Sequence, residues 1–228
     1  MADDEQLAIP AGALRRSTLT ALATLAVGGD IDEQTRHRLV LLGAVDKDGK
    51  VEESLLPLAA AVAQPAADVE LLRASAGVMA EVHGWFSPNL VVMHTTEQDP
   101  DTVAPYVLTT PTALPQAVLH ALAVPDQPAA PEPVELAGVN ELLELARTGG
   151  ASWAGQVGAT EPRQLTLHRW DVAAPGRAAA VVRAIVSAPD GLRVLRHQPG
   201  PVLVPTDLAT EEVELASVVK LLTTTTTG

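Results

Sequence analysis

Histidine and carboxylate side chains are the groups that could carry acid–base or metal chemistry, because the chain has no cysteine. No two of the six histidines lie four residues apart, and the His-Glu-x-x-His pattern of zinc enzymes does not occur. His83 and His94 fall on neighbouring predicted strands, where their imidazoles would face each other. Two ordinary sheet histidines are the better explanation of this spacing, so it predicts no site by itself.

The other short motifs also lack the residues that their chemistry requires. Asp46-Lys47-Asp48-Gly49 resembles the start of a calcium loop, but the third ligand before the glycine and the later glutamate are missing. The glycine-rich stretch 149–158 has no Gly-Lys-Ser/Thr pair, and Ser152 does not lie in Gly-x-Ser-x-Gly. The dinucleotide fingerprint is absent. The sequence therefore predicts a protein that is not an enzyme and has neither a cofactor nor a metal.

The composition favours a globular protein whose core is built from small aliphatic side chains. Hydrophobic residues make up 47% of the 228 residues, but aromatic residues only 2%. The acidic start, Met1 to Glu5, and the short apolar runs, such as 58–63, predict a cytoplasmic protein without a membrane span. The formal charge of −13 disfavours nucleic acid and anionic membrane as partners.

Positive charge is nevertheless concentrated in one segment. Between residues 162 and 200, six arginines stand against two aspartates, which gives a local charge of +4. Arginines on the solvated face of a sheet explain this cluster; a docking face for an acidic partner is the functional alternative. The arginines are Arg163, Arg169, Arg177, Arg183, Arg193 and Arg196.

The N-terminal unit, residues 1–64, is predicted to be winged-helix-like. Asp30 and Glu33 resemble the start of a capped second helix, and Asp48-Gly49 indicates a small hairpin. Six basic residues stand against ten acidic ones, whereas DNA affinity rests largely on basic residues that neutralise phosphate. The unit is therefore expected to dock a protein rather than DNA. The expected order is a poorly ordered lead-in (1–16), helices at 17–27 and 31–42, a hairpin at 44–51 and a third helix at 53–63.

Two similar blocks follow this unit. The first half (65–124) contains four short extended segments and then a helix that begins at Pro111. A proline-rich linker (125–134) leads to the second half (135–222), and residues 223–228 form a flexible tail. The second half is predicted as a helix over 135–147, a glycine-rich stretch over 149–162, strands at 163–172, 178–188, 192–198 and 201–206, and a helix over 207–222.

Both blocks enter their last helix through the same four-residue pattern. Pro111-Thr112-Ala113-Leu114 opens the first helix and Pro205-Thr206-Asp207-Leu208 the second, 94 residues later. In each case proline suits the exit from a strand and Thr or Asp can cap the helix. The pattern and the matching element order together predict an internal duplication.

The arrangement over residues 17–222 resembles the EspG family of type VII (ESX) secretion-associated proteins. Three segments carry the resemblance: "LVLLGAVDKDGKVEESLLPLAAAVAQPAADVELL" (39–72), "YVLTTPTALPQAVLHALAV" (106–124) and "DGLRVLRHQPGPVLVPTDLATEEVELASVVKLL" (190–222). The resemblance implies an α+β fold with quasi-two-fold halves, in which helical bundles flank a central antiparallel sheet. This chain is shorter and poorer in aromatic residues than better-known members, so its substrate is expected to differ.

The resemblance also implies a function and a binding region. The protein would be a non-enzymatic cytosolic chaperone or adaptor that keeps helical secretion substrates soluble for export. The substrate would be a PE–PPE-like or WXG100-like pair. Two copies of this chain could also form a homodimer. The binding region would correspond to the second sheet block (163–198) and the helices 135–147 and 207–222. The residues expected to contact the partner are Arg183, Arg193, Arg196, Leu215, Val218, Val219 and Leu222.

Two alternatives stay open at this point. The first is a winged-helix transcriptional regulator whose α+β part senses a ligand, which salt-dependent binding to DNA would favour. The second is an enzyme on the same scaffold. A deep pocket that brings His83, His94 or His168 together with a carboxylate would favour this second alternative.

Overall fold

The computed structural model describes residues 9–75, 78–96, 104–137, 158, 160, 165–173, 180–197 and 200–225. Within these ranges the chain forms ten strands and five α-helices. The strands are β1 (Ile9–Leu14), β2 (Ala67–Ser75), β3 (Val78–Phe86), β4 (Val91–Thr96), β5 (Ala104–Thr109), β6 (Val134–Glu135), β7 (Thr166–Ala173), β8 (Ala180–Ala188), β9 (Gly191–Arg196) and β10 (Val202–Pro205). The helices are α1 (Arg16–Ala26), α2 (Glu33–Leu41), α3 (Leu56–Ala63), α4 (Leu114–Ala121) and α5 (Leu208–Thr225).

The ten strands form one sheet in the order β1-β5-β4-β3-β2-β7-β8-β9-β10-β6. The strand pairs are antiparallel throughout. Outward from the central β2–β7 pair, one side continues through β3, β4 and β5, and the other through β8, β9 and β10. The predicted α+β class with a large antiparallel sheet is confirmed.

The first strand differs from the prediction. Residues 1–16 were expected to be a poorly ordered lead-in, but Ile9–Leu14 pairs with Ala104–Leu108 of β5 at the sheet edge. The register shifts between Pro10 and Gly12. Proline is tolerated on edge strands, and both residues weaken a strand pattern in sequence. The local sequence therefore concealed a strand that depends on its partner.

The N-terminal helices occur in the predicted order. A 3₁₀ turn (Glu53–Leu55) precedes α3, and Val45 and Val51 form an antiparallel bridge between α2 and that turn. Pro57 lies in the first turn of α3, where its missing N–H is harmless. The cap of α2 differs from the prediction, because Asp32 and not Asp30 accepts the Thr35 backbone N–H, at 2.8 Å.

The helices cover the sheet on two faces. On the first, called the α4–α5 face, side chains of both helices pack on alternate residues of the central strands, among them Val69, Leu71 and Trp170. On the opposite, α1–α3 face, α1 and α3 pack on Trp85, Val92 and Tyr106. A second cluster on that face buries Leu167, Val186 and their neighbours. Period-two alternation of strand side chains separates the two cores.

The proline-rich segment 125–134 is fastened to the sheet. Leu192 of β9 donates its N–H to the Pro128 carbonyl and accepts from Ala130, at 3.0 and 3.1 Å. Gly191, at φ +129°, leaves room for this approach, since a Cβ there would lie 2.5 Å from the Pro128 oxygen. The helix predicted over 135–147 begins differently, because Val134–Glu135 pairs with β10 as a strand. Residues 138–147 of that prediction, and the stretch 149–162 apart from 158 and 160, lie outside the described residues.

Candidate functional site

A cleft with charged walls opens on the α1–α3 face, where β2, β3 and β7 are not covered by α1. We call it the central cleft. Direct cross-strand neighbours place its carboxylates together: Glu70 lies opposite Asp171 on one side and opposite His83 on the other. Arg16 reaches it from α1, with its guanidinium 5.8 Å from the ring centre of Trp85. The charged lining residues are Arg16, Glu70, Glu81, Arg169 and Asp171. His83 also lines the cleft.

His83 is a weak base in this cleft. The pKa of His83 is lowered to about 4, mainly by burial and also by the nearby Arg16, while Glu70 opposes the shift. Its ring nitrogens lie 3.5 Å from an oxygen of Asp68 and 3.8 Å from one of Glu70, which are contacts rather than short hydrogen bonds. Burial in turn raises the pKa of Asp68, against the effect of Arg16. Neutral His83 therefore packs edge-on against Trp85 at 4.6 Å.

The described lining of the central cleft is rich in charged side chains but offers no hydroxyl, thiol or amine nucleophile. Arg169 is already bound to Asp171 by two hydrogen bonds of 3.1 and 2.5 Å. Across the described ranges, His, Asp and Glu side chains are nowhere grouped in threes that could hold a metal ion. His83 and His94 do face each other in register, but His94 Nε2 contacts the carbonyl of Leu14 at 2.7 Å.

The second candidate surface is built on α5, which an internal ion pair fastens to the sheet. Glu211, fully buried, accepts hydrogen bonds from Arg183 Nε and Nη2, at 2.5 and 2.9 Å. Thr206 Oγ1 donates to the same carboxylate at 2.6 Å. Glu214 approaches Arg183 at 3.8 Å. Arg183 was predicted to contact a partner, and the structure places its side chain in this network, 11% exposed.

The other two predicted arginines lie in different surroundings. Arg193 is 2% exposed and binds Asp190 through both Nη atoms, at 2.9 and 2.6 Å, and the Glu132 carbonyl through Nε. Arg196 is exposed at the end of β9. Of the three arginines predicted to contact a partner, Arg196 is therefore the exposed one, because charges buried beside carboxylates are already neutralised. Arg163 and Arg177 of the same cluster lie outside the described residues.

The predicted apolar contacts of α5 divide in the same way. Leu215 and Val219 are buried in the core of the α4–α5 face, and Val218 and Leu222 pack against its edge. The exposed apolar side chains of α5 are instead Val213 and Leu221, at 67% and 64%. The sequence contained a signal for this surface, because α5 carries more apolar positions than one buried stripe needs. It could not say which of them point outward.

A groove between α4 and α5 continues this surface. Pro111 and Pro115 line one wall, and Ala216, Val219 and Thr223 line the other. Gln116 Nε2 donates to Glu212 Oε1 at 2.9 Å and joins the two helices. We call the exposed side of α5 together with this groove the α5 surface. Lys220 also lines the groove, and Glu212 and Glu214 flank Val213, so this surface combines an apolar centre with charged side chains around it.

No family model and no curated protein sequence match the chain. Among the solved structures that resemble it is that of the Mycobacterium tuberculosis type VII secretion system chaperone EspG5 in complex with a PE25–PPE41 dimer. The TM-score is 0.54 at 13% identity, and the alignment covers 91% of this chain and 95% of the other. Among the described residues, no helix is long and apolar enough to cross a membrane. The likeness shows that the chain has an EspG-like fold.

Proposed function

We propose that this protein is a non-enzymatic chaperone or adaptor that binds a helical substrate of a type VII (ESX) secretion system. The observation that carries the proposal is the likeness to EspG5, which extends over nearly the whole of both chains. That protein is described as a chaperone in complex with a PE25–PPE41 dimer. By analogy the partner of this chain is a PE–PPE-like or WXG100-like helical pair, held in the cytoplasm before export.

The α5 surface is the part of the molecule that we propose for the first contact. Val213 and Leu221 would bury against apolar side chains at the tip of a helical client, and burial of such area is the main source of affinity. Partly buried Val218 and Leu222 extend the same contact, and Leu215 and Val219 support it from below. Arg196 is the predicted arginine that is free to meet an acidic rim. Arg183 and Arg193 then act by holding α5 and β9 in place.

Copurification tests this proposal. The protein is coexpressed with the small helical proteins encoded beside its gene, and the complex is measured by size-exclusion chromatography. A stable complex is expected for the wild-type chain and loss of most of it for Val213→Glu/Leu221→Glu. Leu41→Glu is the matched control, because Leu41 is 74% exposed on α2, which packs against α1 and not against α5. Recovery of no helical protein by a well-folded chain would contradict the chaperone, and equal binding by both variants would contradict the surface.

We also propose that the two strand-and-helix blocks arose by internal duplication. Support comes from the equivalent places of the two Pro-Thr-x-Leu patterns, since Leu114 begins α4 and Leu208 begins α5. Support also comes from the matching strand order on either side of β2–β7. Superposition of β2–β5 with α4 onto β7–β10 with α5 tests the idea. A fit no better than that of unrelated four-stranded sheets would overturn it.

A further inference from the structure

A second pocket lies on the α4–α5 face, beyond the end of α4, and belongs to neither proposed surface. It has a volume of about 320 Å³, at the small end of ligand sites. One wall is polar, with Arg73, Thr166, His168 and Ser187, and the other is apolar, with Val78, Ala80, Ala123 and Pro125. Among these residues Arg73 is the charged one and none is a carboxylate. We call it the Arg73 pocket.

A chain of hydrogen bonds runs along its polar wall. His168 Nδ1 lies 2.9 Å from the carbonyl oxygen of Leu122, directly after α4, and its Nε2 lies 2.8 Å from Ser187 Oγ. A carbonyl can only accept, so Nδ1 carries the proton. In neutral His168 the Nε2 atom must then accept from Ser187, which leaves the serine hydroxyl with no proton to offer to a ligand.

Protonation of His168 reverses that last hydrogen bond. Imidazolium Nε2–H donates to Ser187 Oγ, and the serine hydroxyl proton turns toward the pocket. The pocket then presents a hydroxyl donor, the Thr166 hydroxyl and the Arg73 guanidinium. Within the described part of the chain, Arg73 has no carboxylate at ion-pair distance, so its charge is available. This set of donors is complementary to an anion.

We propose that the Arg73 pocket binds a small organic carboxylate and that binding is accompanied by uptake of one proton on His168. The carboxylate would lie between Arg73 and Ser187, and its apolar part against Val78, Ala80 and Pro125. A planar carboxylate suits the fork of a guanidinium better than a spherical anion does. The predicted ligand class is therefore a short aliphatic or aromatic monocarboxylic acid.

The environment of His168 determines whether the affinity for the carboxylate rises or falls with pH. The pKa of His168 is lowered to about 4, mainly by burial, against the effect of the hydrogen bond to Leu122 and with a further contribution from Arg73 on β2. The pocket residues from β3, β7, β8 and the segment after α4 add no other ionisable group. An anion beside His168 stabilises the imidazolium and raises that pKa. Linkage then requires affinity to rise as pH falls.

Benzoate is the probe for the experiment, and benzyl alcohol is its uncharged counterpart. The ring signals of His168 are followed by NMR during titration of the full chain at pH 8 and pH 5.5. Saturable benzoate binding is expected, at least fivefold tighter at pH 5.5, with no saturable binding of benzyl alcohol. Arg73→Gln should weaken binding about tenfold or more, whereas Arg38→Gln, at an exposed arginine on α2, should not change it.

Ser187→Ala separates the two parts of the proposal. The Ser187→Ala variant should still fold, because His168 retains the hydrogen bond to Leu122. Its affinity for benzoate should fall more at pH 5.5 than at pH 8. Ser187→Thr keeps the hydroxyl and should restore the pH dependence if the Ala variant is poorly folded. Binding that is unsaturable, equal for benzyl alcohol, or unchanged by Arg73→Gln would overturn the site. Benzoate affinity independent of pH in the wild-type chain would overturn the proton uptake.

Discussion

The two Pro-Thr-x-Leu junctions begin alike and fasten their helices by different chemistry. At the first junction Thr110 Oγ1 accepts from the Ala113 N–H at 3.3 Å, and the helix that follows is short, with Leu114, Ala117 and Val118 buried. At the second junction Asp207 accepts from the Thr210 N–H at 2.7 Å, and Thr206 donates to buried Glu211. One helix is held by apolar packing and the other also by charge.

This difference explains why α5 can carry an exposed apolar side. Hydrophobic burial alone favours the helix rotation that turns most large apolar residues inward, although Leu41 of α2 stays 74% exposed. In α5 the Arg183–Glu211 pair fixes the rotation of the helix on the sheet, so Val213 and Leu221 can stay exposed. Desolvation of the two charges offsets much of the stability that a buried ion pair contributes, whereas its hydrogen-bond geometry restricts how the two elements can pack. The proposed client surface therefore depends on the buried Arg183–Glu211 ion pair beneath it.

Removal of the Arg183–Glu211 ion pair should have the largest effect on stability. Arg183→Met leaves the Glu211 carboxylate buried without its partner, and loss of about 3–5 kcal/mol of stability is expected, as for other broken buried pairs. Chemical denaturation measures the free energy of unfolding. The corresponding hydrogen bond on α4, removed by Gln116→Ala, should cost far less because that side chain is only partly buried.

A double replacement shows whether the charges or the packing of these two side chains cause the loss of stability. Arg183→Met/Glu211→Leu removes both charges and should recover most of the stability, because no unpaired charge remains. If the double variant were as unstable as Arg183→Met alone, the ion pair would not be the reason for the loss. Binding of the client should remain impaired in the double variant, since the rotation of α5 is no longer fixed.

Acidification should destabilise the protein through a histidine in each block. The pKa values of His83 and His168 are both lowered to about 4, mainly by burial, from an ordinary value of 6.5. The folded state thus favours the neutral form, so this stability is complete above pH 6.5 and is lost as pH falls toward 4. For almost fully buried His168 the loss is on the order of 3 kcal/mol.

Unfolding curves between pH 7 and pH 4.5 measure this effect. His168→Gln keeps a hydrogen-bonding side chain but cannot titrate, so its stability should fall less over this range than that of the wild type. His83→Gln should have the same kind of effect and a smaller one, because the His83 side chain is 11% exposed whereas His168 is 1% exposed, so solvent screens the charge of His83 more. Parallel pH profiles for all three proteins would show that neither histidine determines the acid sensitivity.

The helix caps should give a smaller difference. Hydrogen bonds from Thr210 lower the pKa of Asp207, which indicates that the charged carboxylate is the capping form. Asp207→Ala should reduce the melting temperature modestly, and Thr110→Ala should reduce it less because the 3.3 Å bond at α4 is longer and uncharged. Thermal unfolding of the two variants measures the comparison. A larger loss at Thr110 would reverse the order that the geometry implies.

Local patterns in the sequence predicted most of the fold. The strands predicted at 178–188 and 192–198 agree with β8 and β9, and the four extended segments expected between 65 and 110 correspond to β2, β3, β4 and β5. Three features escaped prediction. The edge strand at Ile9–Leu14 needs β5 to exist, the attachment of the proline-rich segment at 128–130 needs Leu192, and the strand at Val134–Glu135 needs β10. All three depend on contacts with residues far away in sequence, which local propensity does not contain.

The candidate sites were less predictable than the fold. The arginine cluster was visible in composition, but whether Arg183 and Arg193 face solvent depends on Glu211 and Asp190, which meet them only in the folded chain. The His168–Ser187 pair is likewise invisible, because cross-strand register brings the two residues together. The residue types therefore indicate which side chains can form ion pairs and hydrogen bonds. Only the folded structure shows which of these contacts are made within the protein.

The smallest expected effect concerns how the two helices are coupled. The Gln116–Glu212 hydrogen bond is a side-chain bond between α4 and α5, and both residues are partly exposed. Water competes for such groups, so a double-mutant cycle with Gln116→Ala and Glu212→Ala should give a coupling energy of about 0.5 kcal/mol. Urea unfolding of the four proteins measures it. A coupling above about 1.5 kcal/mol would mean that α4 helps to fix α5, and the ion pair to Arg183 would then not suffice to explain the exposed side of that helix.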